Sequence, residues 1–91
     1  MNFLVYYAKD NSKQVDIENF TSSHVFVKKV EADNIDEVFE KMQGEVWSPK
    51  GEKRDFILSL GLNHTSMFLN DLAIDENAKI YICETYGWTI I

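Results

Sequence analysis

The sequence predicts an α+β fold: a single domain in the order ββααβββ, its two helices packed on one face of a mostly antiparallel sheet. Three observations carry this expectation. Aromatic and β-branched runs stand near both ends of the chain, two capped helical patterns occupy its middle, and neither a repeat nor a linker interrupts residues 1–91. Surface scaling for a chain of 10.6 kDa predicts about 5,500 Å² of exposed area and about 64% of the unfolded surface buried, enough for one modest core.

Asn2 to Ala8 reads as the first strand, with Phe3, Val5 and Tyr7 on one face and Leu4 and Tyr6 on the other, covered on both sides. Asp10 to Gln14 is turn chemistry, and the polar stretch to Ser23 reads as a loop with room for a short helical turn. His24 to Val30 is the second strand, paired with the first.

The first helix starts at Asn34, a good N-cap, with Glu37 three residues on as its reciprocal partner and Gly44 as a left-handed stop. Ile35, Val38, Phe39 and Met42 form its apolar stripe. Ser48-Pro49 opens the second helix, because serine caps free amides and proline at the first helical position loses no bond. Phe56, Ile57 and Leu60 give its buried face and Gly61 its end. Strands then follow at Ser66 to Leu69, Leu72 to Ile74, Lys79 to Thr85 and Trp88 to Ile91, with Tyr86-Gly87 as a tight hairpin.

Composition narrows the partners. An apolar content of 45% against 26% charged residues excludes a disordered chain, and no apolar run reaches the length of a membrane span. A net charge of −6 opposes non-specific attraction to nucleic acid. Locally the balance differs, since Asp36, Glu37, Glu40 and Glu45 cluster before a basic island of Lys50, Lys53 and Arg54. Cys83 is the only cysteine, so no internal disulfide forms, which fits a soluble protein of the reducing cytoplasm.

The run from Met42 to Arg54, continuing through Gly61 to Met67, resembles a family of small uncharacterised prokaryotic and viral proteins. Its pattern is close to M-Q-G-E-x-W-S-P-x-G-E-x-R, then G-L-x-H-T-S-M-S-x-G-D, and last an aromatic-Gly-aromatic step like Tyr86-Gly87-Trp88. The resemblance covers about the C-terminal half and implies a common fold unit in a phage or mobile-element context, with no activity attached. Asn70 stands at the glycine position, where asparagine tolerates positive φ, and Phe68 replaces a small hydroxyl residue.

The densest chemistry is His64-Thr65-Ser66 with Asp71 nearby. A nucleophilic Ser-His pair needs the two side chains in hydrogen-bond reach, and no nucleophile elbow accompanies them; the expectation is that they fix the junction between a helix end and a strand. His24, His64, Asp71 and Cys83 lack metal-ligand spacing, so neither a metal nor any other cofactor is expected. Glu45, Glu52, Glu84 and Asp71 read as solvated carboxylates. Trp47, Ser48, Lys50, Lys53 and Arg54 combine an aromatic, a helix N-terminus and three cations, a candidate anion site weighed against a structural role in which Arg54 pairs Glu45 or Asp55.

The leading expectation is a non-enzymatic interaction module that binds a protein partner, with a host-directed viral role in view; Trp47, Trp88, Tyr86 and Tyr6 are types enriched in interface hot spots. One alternative is an RNA or nucleotide binder using Trp47, Lys50, Lys53 and Arg54; another is an enzyme centred on His64, Ser66 and Asp71. The apolar stretch Trp88-Thr89-Ile90-Ile91 further suggests an open sheet edge and a homodimer.

Overall fold

Phe3, Val5 and Tyr7 alternate with Leu4 and Tyr6 along one strand, and that alternation sets the two faces of the domain. The structure, a computed structural model, describes residues 1–91. Its elements are β1 (Asn2–Ala8), α1 (Phe20–Ser23), β2 (His24–Glu31), α2 (Ile35–Lys41), α3 (Gly44–Trp47), α4 (Arg54–Ser59), β3 (Leu72–Asp75), β4 (Ile80–Cys83) and β5 (Trp88–Ile90). The five strands form one antiparallel sheet in the order β2-β1-β3-β4-β5, the α+β architecture expected. The exposed surface is 5580 Å², close to the area that chain mass predicts.

On the helix side, Phe3, Val5 and Tyr7 meet Val30, Val38, Met42, Ile57 and Met67 in a single core. The β1–β2 register shifts between Val5 and Tyr6, so that Lys28 opposes Val5 and Phe26 opposes Tyr6. Val27 is the extra residue, and it joins the core.

The opposite face is not fully covered, contrary to the expectation for β1. Leu4 retains 38% of its surface, because the segment after β1 carries few apolar residues and α1 is a single turn. Phe20 of that turn stands edge-on to Tyr6, with ring centroids 5.3 Å apart, and leaves the Leu4 end of the strand open.

The helices start and stop where local hydrogen bonding dictates. Asn34 Oδ1 accepts from Glu37 N at 2.9 Å, as a capping residue should. Glu37 does not return the bond to Asn34; its carboxylate faces Lys41 Nζ at 3.2 Å. Gly44 is no left-handed stop: α2 ends at Lys41 and Gly44 opens α3, where its missing Cβ lets Ser66 approach.

Ser48 does not open the second helix either, for α4 begins only at Arg54. Between them Gly51 takes φ +73°, and Ser48 Oγ accepts from Lys53 N at 2.9 Å, which closes a turn in place of the first helical turn. Of the expected buried face only Ile57 is buried, while Phe56 is exposed and Leu60 half-buried. Gly61 ends α4 at φ +77°, as its position implied.

The expected strand from Ser66 to Leu69 is absent. Asp71 binds the main chain of Phe68 and turns that segment inward, and Asn70 adopts φ 67°, the conformation foreseen for it. The last strands are shorter than read from sequence, and Glu84 to Gly87 connects them, with Glu84 N donating to Gly87 O at 3.1 Å.

Candidate functional site

Asp71 is the hub of the polar chemistry on the helix side, and it is completely buried. That corrects its reading as a solvated carboxylate. Oδ1 accepts from Ala8 N at 2.7 Å and Asn11 Nδ2 at 3.0 Å; Oδ2 accepts from Phe68 N and from His64 Nε2, both at 2.8 Å. Four donors satisfy the carboxylate, which is the condition under which a buried charge is tolerated. A carboxylate only accepts, so the His64 proton facing it sits on Nε2.

The residues around this hub lock one another in place. The His64 ring stacks on Tyr7 with centroids 4.6 Å apart and planes 16° from parallel. The Tyr7 hydroxyl donates to Thr65 O at 2.7 Å, and the same oxygen accepts from Trp47 Nε1 at 3.1 Å. Burial pushes the Tyr7 hydroxyl far above the ordinary tyrosine range, with the Asp71 charge adding to it. Ser66 Oγ accepts from Gly44 N at 2.8 Å.

His64, Thr65, Ser66 and Trp47 therefore converge, and they converge as a junction joining β1, α3 and the segment before β3. His64 and Ser66 do not bond to each other: Nε2 is held by Asp71, Nδ1 lies 3.2 Å from Asn63 Oδ1, and Ser66 faces a main-chain amide. No buried side-chain nitrogen or oxygen lacks a partner. His24 is likewise engaged, with Nδ1 2.8 Å from Ser23 Oγ and Nε2 2.7 Å from Asn70 O. No group of three or more His, Cys, Asp and Glu side chains is placed to hold a metal ion.

The anion site expected at Ser48 to Arg54 loses its basis once α4 starts late. Lys50 N is taken by Glu52 Oε2 at 2.9 Å, Gly51 N by Ser48 O at 3.0 Å and Lys53 N by Ser48 Oγ, so these amides are used within the turn. Lys50, Lys53 and Arg54 are exposed, and Arg54 forms no ion pair with Glu45 or Asp55.

Comparison of the chain with protein-family models, curated proteins and solved structures returns no match.

Three surfaces stand out. The first lies on the sheet face away from the helices. Leu4 opposes Lys29 on one side and Ile74 on the other, Ile74 opposes Ile80, and Ile80 exchanges main-chain bonds with Ile91 at 2.9 and 2.8 Å. Directly opposed residues share a face, so Leu4, Ile74, Ile80 and Ile91 form one apolar row across the sheet. Leu4 is 38% exposed and Ile91 57%. This row escapes a linear reading because its members are far apart in the chain.

The second surface is a groove of about 410 Å³ between α2 and the β4–β5 connection. Trp88 stands there, apart from the other candidate residues, with Nε1 donating to Asp36 Oδ1 at 3.1 Å and its ring edge-on to Phe39. Glu40 and Glu84 complete an acidic rim. Tyr86 projects from the adjoining loop, 94% exposed.

The third surface runs beside β2, where Lys28 and Lys53 flank Trp47. Lys28 Nζ lies 5.5 Å from the centre of the indole ring, a cation–π distance. Lys28 carries no local motif, and only the pairing of β2 with β1 brings it to Trp47 and Lys53.

Proposed function

We propose that this chain is a non-enzymatic protein-interaction module that docks a partner on the open face of its sheet. The observation that supports this reading is the row Leu4, Ile74, Ile80 and Ile91, in which apolar side chains of three strands and the residue after the fourth lie side by side and partly exposed. Contiguous exposed apolar area is a marker of protein interfaces, whereas isolated exposed apolar residues are ordinary. Phe26, 46% exposed beside Tyr6, extends the patch toward the β2 edge.

The chemistry of His64, Ser66 and Asp71 agrees with such a role, because the Asp71 carboxylate, His64 Nε2 and Ser66 Oγ all bond within the junction. A catalytic reading would need a nucleophile within hydrogen-bond reach of the imidazole, and Ser66 Oγ bonds Gly44 N instead. The compartment that fits is a reducing one, in which the lone buried Cys83 stays a thiol. No helix is long and apolar enough to cross a membrane.

The experiment compares capture of proteins from lysate by the unaltered chain and by Leu4→Glu and Ile91→Glu, both at exposed positions. A protein retained by the former and lost with both variants, at unchanged thermal stability, supports the reading. Identical capture profiles would reject it. Light scattering on the same samples shows whether the partner is a second copy.

A further inference from the structure

The β2 edge carries a second, chemically distinct docking surface. β2 pairs only with β1, so no strand covers its outer side. The bond from Ala32 N to Met1 O, 2.9 Å, fixes the phase of the ladder. Alternation of bonded and non-bonded pairs then directs the amide and carbonyl groups of Lys29 and Glu31 outward, away from β1. Lys41 Nζ takes the Glu31 carbonyl there at 2.8 Å, which leaves the Lys29 amide and carbonyl and the Glu31 amide for an added strand.

Beside the edge the surface is concave and basic. A hollow of about 380 Å³ runs between Lys29, Lys41, Val46 and Trp47, and a second of about 220 Å³ adjoins it at Lys53 and Phe56. Lys28, Lys29 and Lys53 have no ion-pair partner, and Val46 and Phe56 are exposed apolar walls. Lys28 and Lys53, two unpaired cations beside one indole, are a marked local reversal on a chain of net charge −6.

We propose that an acidic, extended peptide segment of a protein partner adds to β2 as a sixth strand, with carboxylates on its helix-side face meeting Lys28 and Lys53. Its alternate apolar side chains would lie on the opposite face, beside the aliphatic stem of Lys29. Main-chain bonding to a free edge supplies affinity in this mode, and side-chain pockets supply selectivity. Lysines on an edge also repel indiscriminate strand pairing, including pairing with a second β2, so the same charges reject one strand and select another. Single-stranded RNA fits less well, because base stacking needs an open ring and Lys28 lies over the Trp47 indole. The inference rests on the protein-docking reading and gives it a second partner class.

A fluorescein-labelled decapeptide alternating glutamate and valine is the probe, titrated with the intact chain and followed by fluorescence anisotropy. Binding is expected to weaken at least tenfold in Lys28→Glu/Lys53→Glu and again at high salt, with amide shifts in NMR spectra centred on Lys29 and Glu31. A peptide with lysine in place of glutamate should not bind, and decauridine RNA should bind at least tenfold more weakly. No peptide binding at millimolar concentration, affinity indifferent to the double substitution, or preference for the RNA would overturn the proposal. Leu4→Glu serves as the control that separates the two surfaces: it should leave peptide affinity unchanged. Lysate capture sensitive to Leu4→Glu alongside a failed peptide titration would remove the β2 site and keep the sheet-face module.

Discussion

His64 Nε2 lies 2.8 Å from Asp71 Oδ2, and the imidazole is clamped against the Tyr7 ring on its flat side. The pair has the outline of an acid–base dyad, yet the carboxylate also holds the main chain at Ala8 and Phe68. Asp71 thus ties the end of β1 to the segment entering β3, and His64 closes one corner of that tie.

Removing the carboxylate should be costly. Asp71→Ala leaves two buried main-chain amides and the imidazole without an acceptor, for an expected loss of about 3–5 kcal/mol. In a domain of this size that lowers the melting temperature by on the order of 15 °C or more. His64→Ala should cost less, about 1–3 kcal/mol, since the carboxylate keeps its other donors. Urea denaturation of both variants and of their double mutant checks this; strict additivity would mean that the two side chains do not act as a unit.

Gly44 and Ser66 should couple with a change of sign. A Cβ at Gly44 would come within 3.1 Å of Ser66 Oγ, which cannot retreat without losing its bond from Gly44 N. Gly44→Ala is therefore expected to destabilise the intact chain by about 1 kcal/mol, the worth of that hydrogen bond. In a Ser66→Ala background the crowding atom is gone, and the same change should stabilise by a few tenths of a kcal/mol or more, because alanine outranks glycine in a helix. Four denaturation curves suffice.

Cys83 should be a poor nucleophile. Burial, with the charges of Asp71 and Glu84 adding to it, pushes its thiol from 9.0 up to about 11. Two pH units reduce the thiolate fraction at pH 8 about 100-fold relative to an unshifted thiol. Iodoacetamide labelling at pH 8 is expected to be at least that much slower in the native state than in urea, and comparable rates would contradict the buried position. Because the folded value is raised, the stability this thiol contributes is complete below pH 9 and lost as pH rises toward 11.

Asp75 governs the acid limb. Burial opposes its ionisation, but Lys79 N, Tyr81 Oη and Asn77 N all donate to the carboxylate at 2.8–3.0 Å, and with the Lys79 charge they hold it below the ordinary aspartate range. A depressed value in the folded state means stability that is present above about pH 4, the ordinary unfolded range, and is lost as pH falls through the lower folded value. Asp75→Asn should flatten the stability profile between about pH 4 and pH 2. Thermal melts across that window provide the measurement, and an unchanged slope would speak against the role.

Much of the fold was legible because it rests on neighbours in sequence. The alternation of Phe3, Val5 and Tyr7, the cap at Asn34, the stop at Gly61 and the positive φ of Asn70 depend on steric and hydrogen-bonding preferences within a few residues. Ser48-Pro49 misled because serine's oxygen had two local uses, and it closes a turn with Lys53 where a helical cap was expected. The Ser66 to Leu69 strand failed because a buried carboxylate next to it competes for its amides.

By itself, then, the chain specifies one α+β domain, its first strand and helix, and a polar cluster at His64 to Asp71, all through short-range periodicity and capping. Whether those polar groups face solvent or one another, and which side chains line up as the Leu4–Ile91 row or the lysine edge, was decided only when distant strands paired. Strand register is a long-range choice, and it alone brings Leu4 beside Ile74 and Lys28 over Trp47.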